Sequence, residues 1–362
     1  MSTLRKFTLT LCSFALASQM AGADVLGRVT LKDLEKQGVV TRNFSVFHVA
    51  GDGRTILAAD EPTFLQKKKG VFHRLWLLKL TADLKLESAQ GYDLSVPSLE
   101  QANFAPGLEK VVFSSRRGSD IHLLDLSSGK VDPLCTHVAG QPGFRIHSDL
   151  LSLYAGKLYS IGYFYDEQDY TGPEQMVEID ISRSGKAAFT PVADMDPITQ
   201  KVPKLKVQST LHPQGMLFYA DEGEAGWKVY HWGPASGLEN IDEGKKILGS
   251  WGEGTMGVYL IRREGGNEMV LANGQTGAKN VVHSGRELLV NPCLAKDGNT
   301  IVVAKDDKGE KVDFWVARDL DGFKPRPLAS QLWRSTVRIS HDGSVVCLYN
   351  GVDGLHLFKL EP

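Results

Sequence analysis

Short apolar runs alternate with polar, glycine-bearing turns along most of the chain. One unit recurs: a strand, a turn carrying glycine, then a second and more apolar strand. Its instances are FHVAGDGRTILAA, NFAPGLEKVVFSS, SLYAGKLYSIGY, STLHPQGMLFYAD, WGEGTMGVYLIRR, PCLAKDGNTIVVAK and RISHDGSVVCLYN, anchored on Gly53, Gly107, Gly156, Gly215, Gly254, Gly298 and Gly343. After each apolar strand comes a polar loop, another strand, and a turn rich in Gly, Ser or Asp, as in IHLLDLSSGK, EMVLANGQTGA and FWVARDLDGFK. Only Leu31 to Gln37 shows a helical period outside the N-terminus. Units of 40–50 residues with three or four short strands each are the mark of a β-propeller blade. The pattern therefore predicts an all-β propeller, most simply of seven four-stranded blades, with six as the alternative count. The last unit ends after its third strand, at LHLFKLEP. A spare strand near Leu26 to Leu31 is expected to supply the missing outer strand and close the ring, leaving no open edge.

The N-terminus reads as an export signal. Arg5 and Lys6 precede an apolar stretch from Phe7 to Ala17, and Ala21-Gly22-Ala23 offers the small residues of a cleavage site. The expected organisation is a signal peptide over 1–23 and one propeller domain over 24–362, in the periplasm or outside the cell. The apolar stretch is too short to span a bilayer of about 30 Å, and no other segment reaches the ~20 apolar residues of a membrane helix. Cys12 invites a lipoprotein reading, but Leu11 stands before it where a small residue is expected. A formal net charge of −2 gives no field to attract nucleic acid. Three cysteines remain beyond the signal: Cys135, Cys293 and Cys347. An odd count beside apolar runs reads as buried thiols. If one bridge forms, Cys293 and Cys347 are the pair expected, since they fall in consecutive units.

The last two units carry a resemblance. In RISHDGSVVCLYNGVDGLHLFKL, Ser340-His341-Asp342-Gly343 stands before the second strand. In the preceding unit, Trp315 is followed by Asp319-Leu320-Asp321-Gly322. These segments resemble the TolB-type propeller repeat, in which a Ser-Pro-Asp-Gly turn and a DLDG-type turn occupy those places. The repeat occurs in periplasmic scaffold proteins and in propeller domains of peptidases and lyases. The resemblance therefore implies a fold and an exported setting rather than an activity.

Catalytic signatures are missing. The sequence contains no GxSxG, HExxH or P-loop, and no motif calls for a cofactor. His212 and His341 precede anchoring turns, where capping is the simplest role. His122, His231 and His356 alternate with apolar neighbours in third strands, as half-buried packing residues do. Some propeller lyases gather histidine ligands from several blades. Here His48, His73, His137, His147 and His283 show no ligand spacing. The acidic clusters at Asp166-Glu167-Gln168-Asp169, Asp306 to Glu310 and Asp319 to Gly322 lack EF-hand spacing, and turn chemistry accounts for them.

The loop after each second strand is more informative, because these loops share one rim of a propeller. They carry Asp60-Glu61, Arg116-Arg117, Asp166-Glu167, Asp221-Glu222, Arg262-Arg263, Asp306-Asp307 and Asn350, and YFYDEQDY adds aromatics around Tyr165. Charged loops are ordinary on a surface. The sharper expectation is a binding rim formed by Arg116, Arg117, Tyr165, Asp166, Asp221, Glu222, Arg262 and Arg263, with the arginines gripping carboxylates of a partner. That partner would be a protein or peptide, with an envelope component or glycan as the other class. The proline-bearing stretch from Ser182 to Lys206 reads as an excursion between blades three and four. The expected role is a binding scaffold. The alternative is a propeller enzyme, a lyase or hydrolase acting on a sugar or lactone in the central channel.

Overall fold

The anchoring turns of the first, sixth and last units share one construction. In the first unit Gly53 N–H donates to the Ala50 carbonyl at 2.9 Å and Ala50 N–H to Thr55 at 2.8 Å. The Asp52 carboxylate accepts from the backbone N–H groups of Arg54 and Thr55. The last unit repeats this around Ser340, Asp342 and Gly343. All seven anchor glycines have positive φ, from 56° at Gly254 to 154° at Gly215. At Gly53 the requirement is double. Its φ is 65°, and a Cβ there would meet a Val345 methyl at 2.5 Å.

The structure, a computed structural model, describes residues 24–39, 44–60, 73–96, 98–105, 107–115, 120–136, 140–168, 171–195, 198, 200–201, 206–207, 211–296, 298–306, 311–318, 324–333 and 335–360. The expected signal at 1–23 lies outside the described residues. Strand β1 (Asp24–Val29) leads into helix α1 (Leu31–Lys36). Thr30 and Asp33 form a reciprocal capping box, and Leu34 points into the core.

Blade 1 holds β2 (Phe44–Val49), β3 (Thr55–Asp60), β4 (Arg74–Leu80) and β5 (Leu86–Asp93). Blade 2 holds β6 (Gln101–Phe104), β7 (Lys110–Ser115), β8 (Asp120–Asp125) and β9 (Val131–Cys135). Blade 3 holds β10 (Gly143–Tyr154), β11 (Lys157–Tyr165), β12 (Thr171–Ile179) and β13 (Phe189–Asp194). Blade 4 holds β14 (Lys206–Val207), β15 (Met216–Asp221), β16 (Trp227–Gly233) and β17 (Gly237–Gly244). Blade 5 holds β18 (Lys246–Glu253), β19 (Met256–Arg262), β20 (Asn267–Asn273) and β21 (Lys279–Gly285). Blade 6 holds β22 (Leu289–Leu294), β23 (Ile301–Lys305), β24 (Lys311–Ala317) and β25 (Arg326–Trp333). Blade 7 holds β26 (Thr336–Ile339), β27 (Val345–Asn350) and β28 (Gly354–Lys359), with β1 as its fourth strand.

The chain is thus a seven-bladed propeller of four-stranded antiparallel sheets. β1 pairs with β28 from Asp24 opposite Lys359 to Val29 opposite Leu355. The N-terminal strand closes the ring as the pattern predicts.

Every apolar core lies between blades. Along β27, Val345, Cys347 and Tyr349 face blade 1, while Val346 and Leu348 face blade 6. Successive side chains of a strand point to opposite faces, so a strand covered on both sides reads as a continuous apolar run. The same geometry corrects the cysteine pairing. Cys293 packs between blades 6 and 7 and Cys347 between blades 7 and 1, so the sheet of blade 7 separates them. All three cysteines are buried thiols in no disulfide. Burial pushes the Cys347 thiol up to about 12.

The excursion from Ser182 to Lys206 is smaller than expected. Residues Phe189–Asp194 form the outer strand of blade 3, with Pro191 opposite Val177. An outer edge strand tolerates proline, because its outward side has no N–H to pair. Lys206–Val207 already belongs to the inner strand of blade 4.

Removing residues 24–36 would expose the edge of β28 and take Val29 and Leu34 out of the core between blades 7 and 1. At about 1.5–3 kcal/mol for each buried aliphatic side chain, the variant is expected to lose at least 3 kcal/mol in urea unfolding followed by circular dichroism. An unchanged midpoint would show that the ring closes by other means.

Candidate functional site

In a four-stranded meander whose first strand lines the axis, the second-to-third-strand loops and the interblade connections fall at one end. That end carries Tyr165, Asp166, Asp221, Glu222, Arg262 and Arg263. Arg116 and Arg117 lie outside the described residues, as do Glu61, Asp307 to Glu310 and the 319–323 turn.

Several of these side chains serve their own blades. Tyr165 is buried. Asp166 accepts from Gln168 N–H at 2.9 Å, and Asp221 from Gly223 N–H at 3.0 Å. Glu222 takes the Tyr230 hydroxyl and Lys228, which together hold its carboxyl below the usual range. Asp60 is buried and accepts from the Trp76 indole N–H at 2.8 Å. Asn350 is buried and donates to Ser335 Oγ at 3.3 Å.

The two rim arginines of blade 5 differ sharply. Arg262 is exposed and makes one long contact to Asn267, at 3.4 Å. Arg263 reaches both Asp242 oxygens at 2.9 and 3.0 Å, Glu268 at 2.5 Å and the Glu243 carbonyl. Asp242 is only 7% exposed and also accepts from Tyr259 and Lys279. Burial alone would raise the Asp242 carboxyl. The Lys279, Tyr259 and Arg263 donors outweigh it and hold the group below its ordinary value. The cluster joins the outer strand of blade 4 to blade 5.

The histidines divide by depth. His212 Nδ1 accepts from Gln214 N–H at 3.0 Å, as a turn cap does. His122, His231 and His356 are buried in third strands, more deeply than the half-burial expected. His48 faces the channel from the inner strand of blade 1. Burial, together with Arg338, His341 and Lys296, pushes it down to about 3, against a hydrogen bond to Asn103 that favours the charged ring.

Polar and aromatic side chains also converge on the inner strands. A groove of about 420 Å3 runs along the channel wall of blades 5, 6 and 7, past Ser250, Trp251, Asn291, Pro292, Thr336 and Arg338. The Arg338 guanidinium stands 5.0 Å from the centre of the Trp251 ring. Its Nε donates to the Phe47 carbonyl and its Nη1 to Val337, both at 2.8 Å. One side chain from blade 7 therefore reaches blades 1 and 5. Arg338 and Trp251 were not among the residues singled out from the sequence. Each sits alone on a separate inner strand, with no local pattern to mark it.

Among the described residues, no group of three or more His, Cys, Asp or Glu side chains gathers as a metal site would require. No described helix is long and apolar enough to cross a membrane.

No protein-family model matches this sequence, and no curated protein matches it. The fold does have solved counterparts. An oligogalacturonate lyase from Vibrio parahaemolyticus is similar with a TM-score of 0.60 at 12% identity, over 94% of this chain and 98% of that one. An oligogalacturonate lyase in complex with manganese gives 0.57 at 10% identity, over 88% and 96%. The propeller domain of the Trilobed protease from Pyrococcus furiosus, described as having an open velcro topology, gives 0.53 at 12%, over 88% and 95%. At such identities the likeness is one of fold.

Arg263→Ala is expected to cost about 3 kcal/mol, because it removes the bidentate partner of a buried carboxylate. Arg262→Ala should stay within about 0.5 kcal/mol. Urea unfolding of both variants checks this. The sign with pH follows from the lowered Asp242 group. Its stabilisation is full above the ordinary carboxylate range and is lost as pH falls through the depressed folded value. Arg263→Ala should therefore flatten the acid limb of the stability profile.

Proposed function

We propose that this chain is an exported TolB-like propeller whose work is binding. The partner, a protein or peptide segment, sits on the face where the second-to-third-strand loops surround the channel mouth. An envelope glycan is the other partner class. The observation that supports this most is the groove in the channel wall, where the Arg338 cation is held over an indole beside exposed polar side chains. Cation, aromatic ring and hydroxyls in one concavity suit recognition. On the rim, Arg262 is exposed beside a fixed Arg263, which gives the face an available cation on a rigid base.

A propeller enzyme acting on a sugar or lactone is the second reading. Two similar structures are oligogalacturonate lyases, and in this chain the inner strands of four blades bring side chains to one place in the channel.

The test uses chain 24–362 as bait for envelope extracts, with a variant carrying Arg116→Ala, Arg117→Ala and Arg262→Ala. Arg263 is left intact because its loss would unsettle the blade. A partner retained at least tenfold less by the variant, about 1.4 kcal/mol, is the expected result. Equal retention would remove the rim from the reading. A stoichiometric divalent ion in metal analysis of the purified protein would favour the enzyme.

A further inference from the structure

We propose that the rim end of the seam between blades 3 and 4 is a site for a carboxylate carried on an acidic peptide segment, with Arg145 as the residue that receives it. The inference rests on the reading of this face as a docking surface and names the chemistry of its partner.

Arg145 stands near the start of β10. By register it lies opposite Tyr163 of β11, which lies opposite Glu174 of β12. The three form a row across blade 3. Two positions further along the strands, Ile161 and Met176 are buried against Phe218 and Ala220 of blade 4. The side chains of the Arg145 row are only half-buried. The cover that blade 4 provides therefore ends at this row, on the end of the blade that carries Tyr165 and Asp166.

At the same end of blades 1, 4 and 5, part-buried cations meet acids. Arg74 reaches Asp93 at 2.7 Å, Lys228 reaches Glu222 at 2.6 Å and Arg263 reaches Asp242 at 2.9 Å. Arg145 is different. Its Nη1 donates to the neutral Tyr163 hydroxyl at 3.2 Å, and its guanidinium carbon stands 5.9 Å from the centre of that ring. Its Nε is buried with no hydrogen-bond partner. Among the described residues no carboxylate pairs with it. A planar fork of five donors thus has most of its capacity unused. Partial burial of an unmatched cation does nothing for the fold by itself. A carboxylate arriving from solvent meets a charge less screened than in bulk water. The bonds it forms there belong to the strong, charge-assisted class.

The backbone around Arg145 is closely fitted. A Cβ at Gly143 would overlap the Tyr165 hydroxyl, and a Cβ at Gly162 would overlap the Arg145 carbonyl. The second contact falls where the register slips between Ile146 and Leu151. Glycine at both positions lets the inner strand press onto β11, which sets the point from which the Arg145 side chain departs. A cation placed in advance loses less entropy when its anion arrives. Tyr163 adds an aromatic face beside the charge, which suits a side chain next to the acid better than a bare ion.

Two peptides test this, acetyl-Gly-Glu-Phe-Gly-amide and its Gln counterpart, with sodium acetate as the bare ion. They are titrated by NMR into chain 24–362 carrying labelled arginine. The Glu peptide is expected to bind roughly tenfold more tightly than the Gln peptide and to move the Arg145 Nε–H resonance. Arg145→Met should remove that margin and leave the urea midpoint unchanged, a combination that a structural role would not produce. If Arg145→Met fails to fold, Arg145→Lys carries the test. It keeps the charge and loses the fork, and should weaken the Glu peptide several-fold. Equal binding of the two peptides overturns the proposal, as does a margin that survives Arg145→Met. So does the absence of Glu-peptide binding up to about 10 mM, an affinity too weak for a formed site. Acetate binding as tightly as the Glu peptide would overturn the peptide as the source of the carboxylate. Envelope capture undiminished in Arg145→Met would sink this site and leave the docking reading standing. Glu-peptide binding with no captured partner would do the reverse.

Discussion

No blade of this protein owns a core. The apolar side chains form seven clusters among the described residues, and each one is shared by two neighbouring blades. A four-stranded sheet alone would leave both faces in water, so folding is cooperative around the whole ring. The constraint falls hardest where the chain ends meet. Between blades 7 and 1 the cluster joins Val29 of β1 and Leu34 of α1 to Cys347 and Leu357 of blade 7. The β1–β28 pairing and the Arg28–Asp353 contact at 3.3 Å fasten that seam.

The same constraint explains where polar chemistry can go. Side chains between blades are committed to packing, and the remaining side chains of the outer strands face solvent. The inner strands meet only a channel, where an apolar lining has nothing to bury against. Polar links bind that wall instead. Asn103 spans from His48 to the Leu151 carbonyl, and Gln101 accepts from Leu151 N–H at 2.8 Å. Arg338 belongs to this series: it bonds Val337 and Phe47 close by and also stands over the Trp251 ring of blade 5.

Much of this was legible in the sequence. A second strand covered on both faces shows as an unbroken apolar run, and a turn that needs positive φ shows as glycine. Those two signals locate all seven units, and the missing last strand locates β1. Legibility failed where the signal was not local. Blade 3 hid its outer strand because Pro191 reads as a breaker, though an edge strand accepts it. Cys293 and Cys347 look adjacent by unit count, yet a whole sheet lies between them. Arg338 and Trp251 meet only because the ring curls their strands together, and no spacing along the chain foretells a contact across an axis.

The Arg262-Arg263 pair carries the same lesson to the scale of one residue. In the sequence the two are interchangeable, a basic doublet at a loop. Consecutive positions where a strand gives way to a loop point apart, so one side chain turns toward the Asp242 cluster and the other toward solvent. The buried acid decides which is which, because leaving Asp242 without its bidentate partner costs far more than leaving a surface arginine hydrated. The Arg262-Arg263 doublet is therefore one structural residue and one available residue. The density of charge along these loops overstates what the face can offer a partner, and the fixed half of the doublet keeps the available half in place.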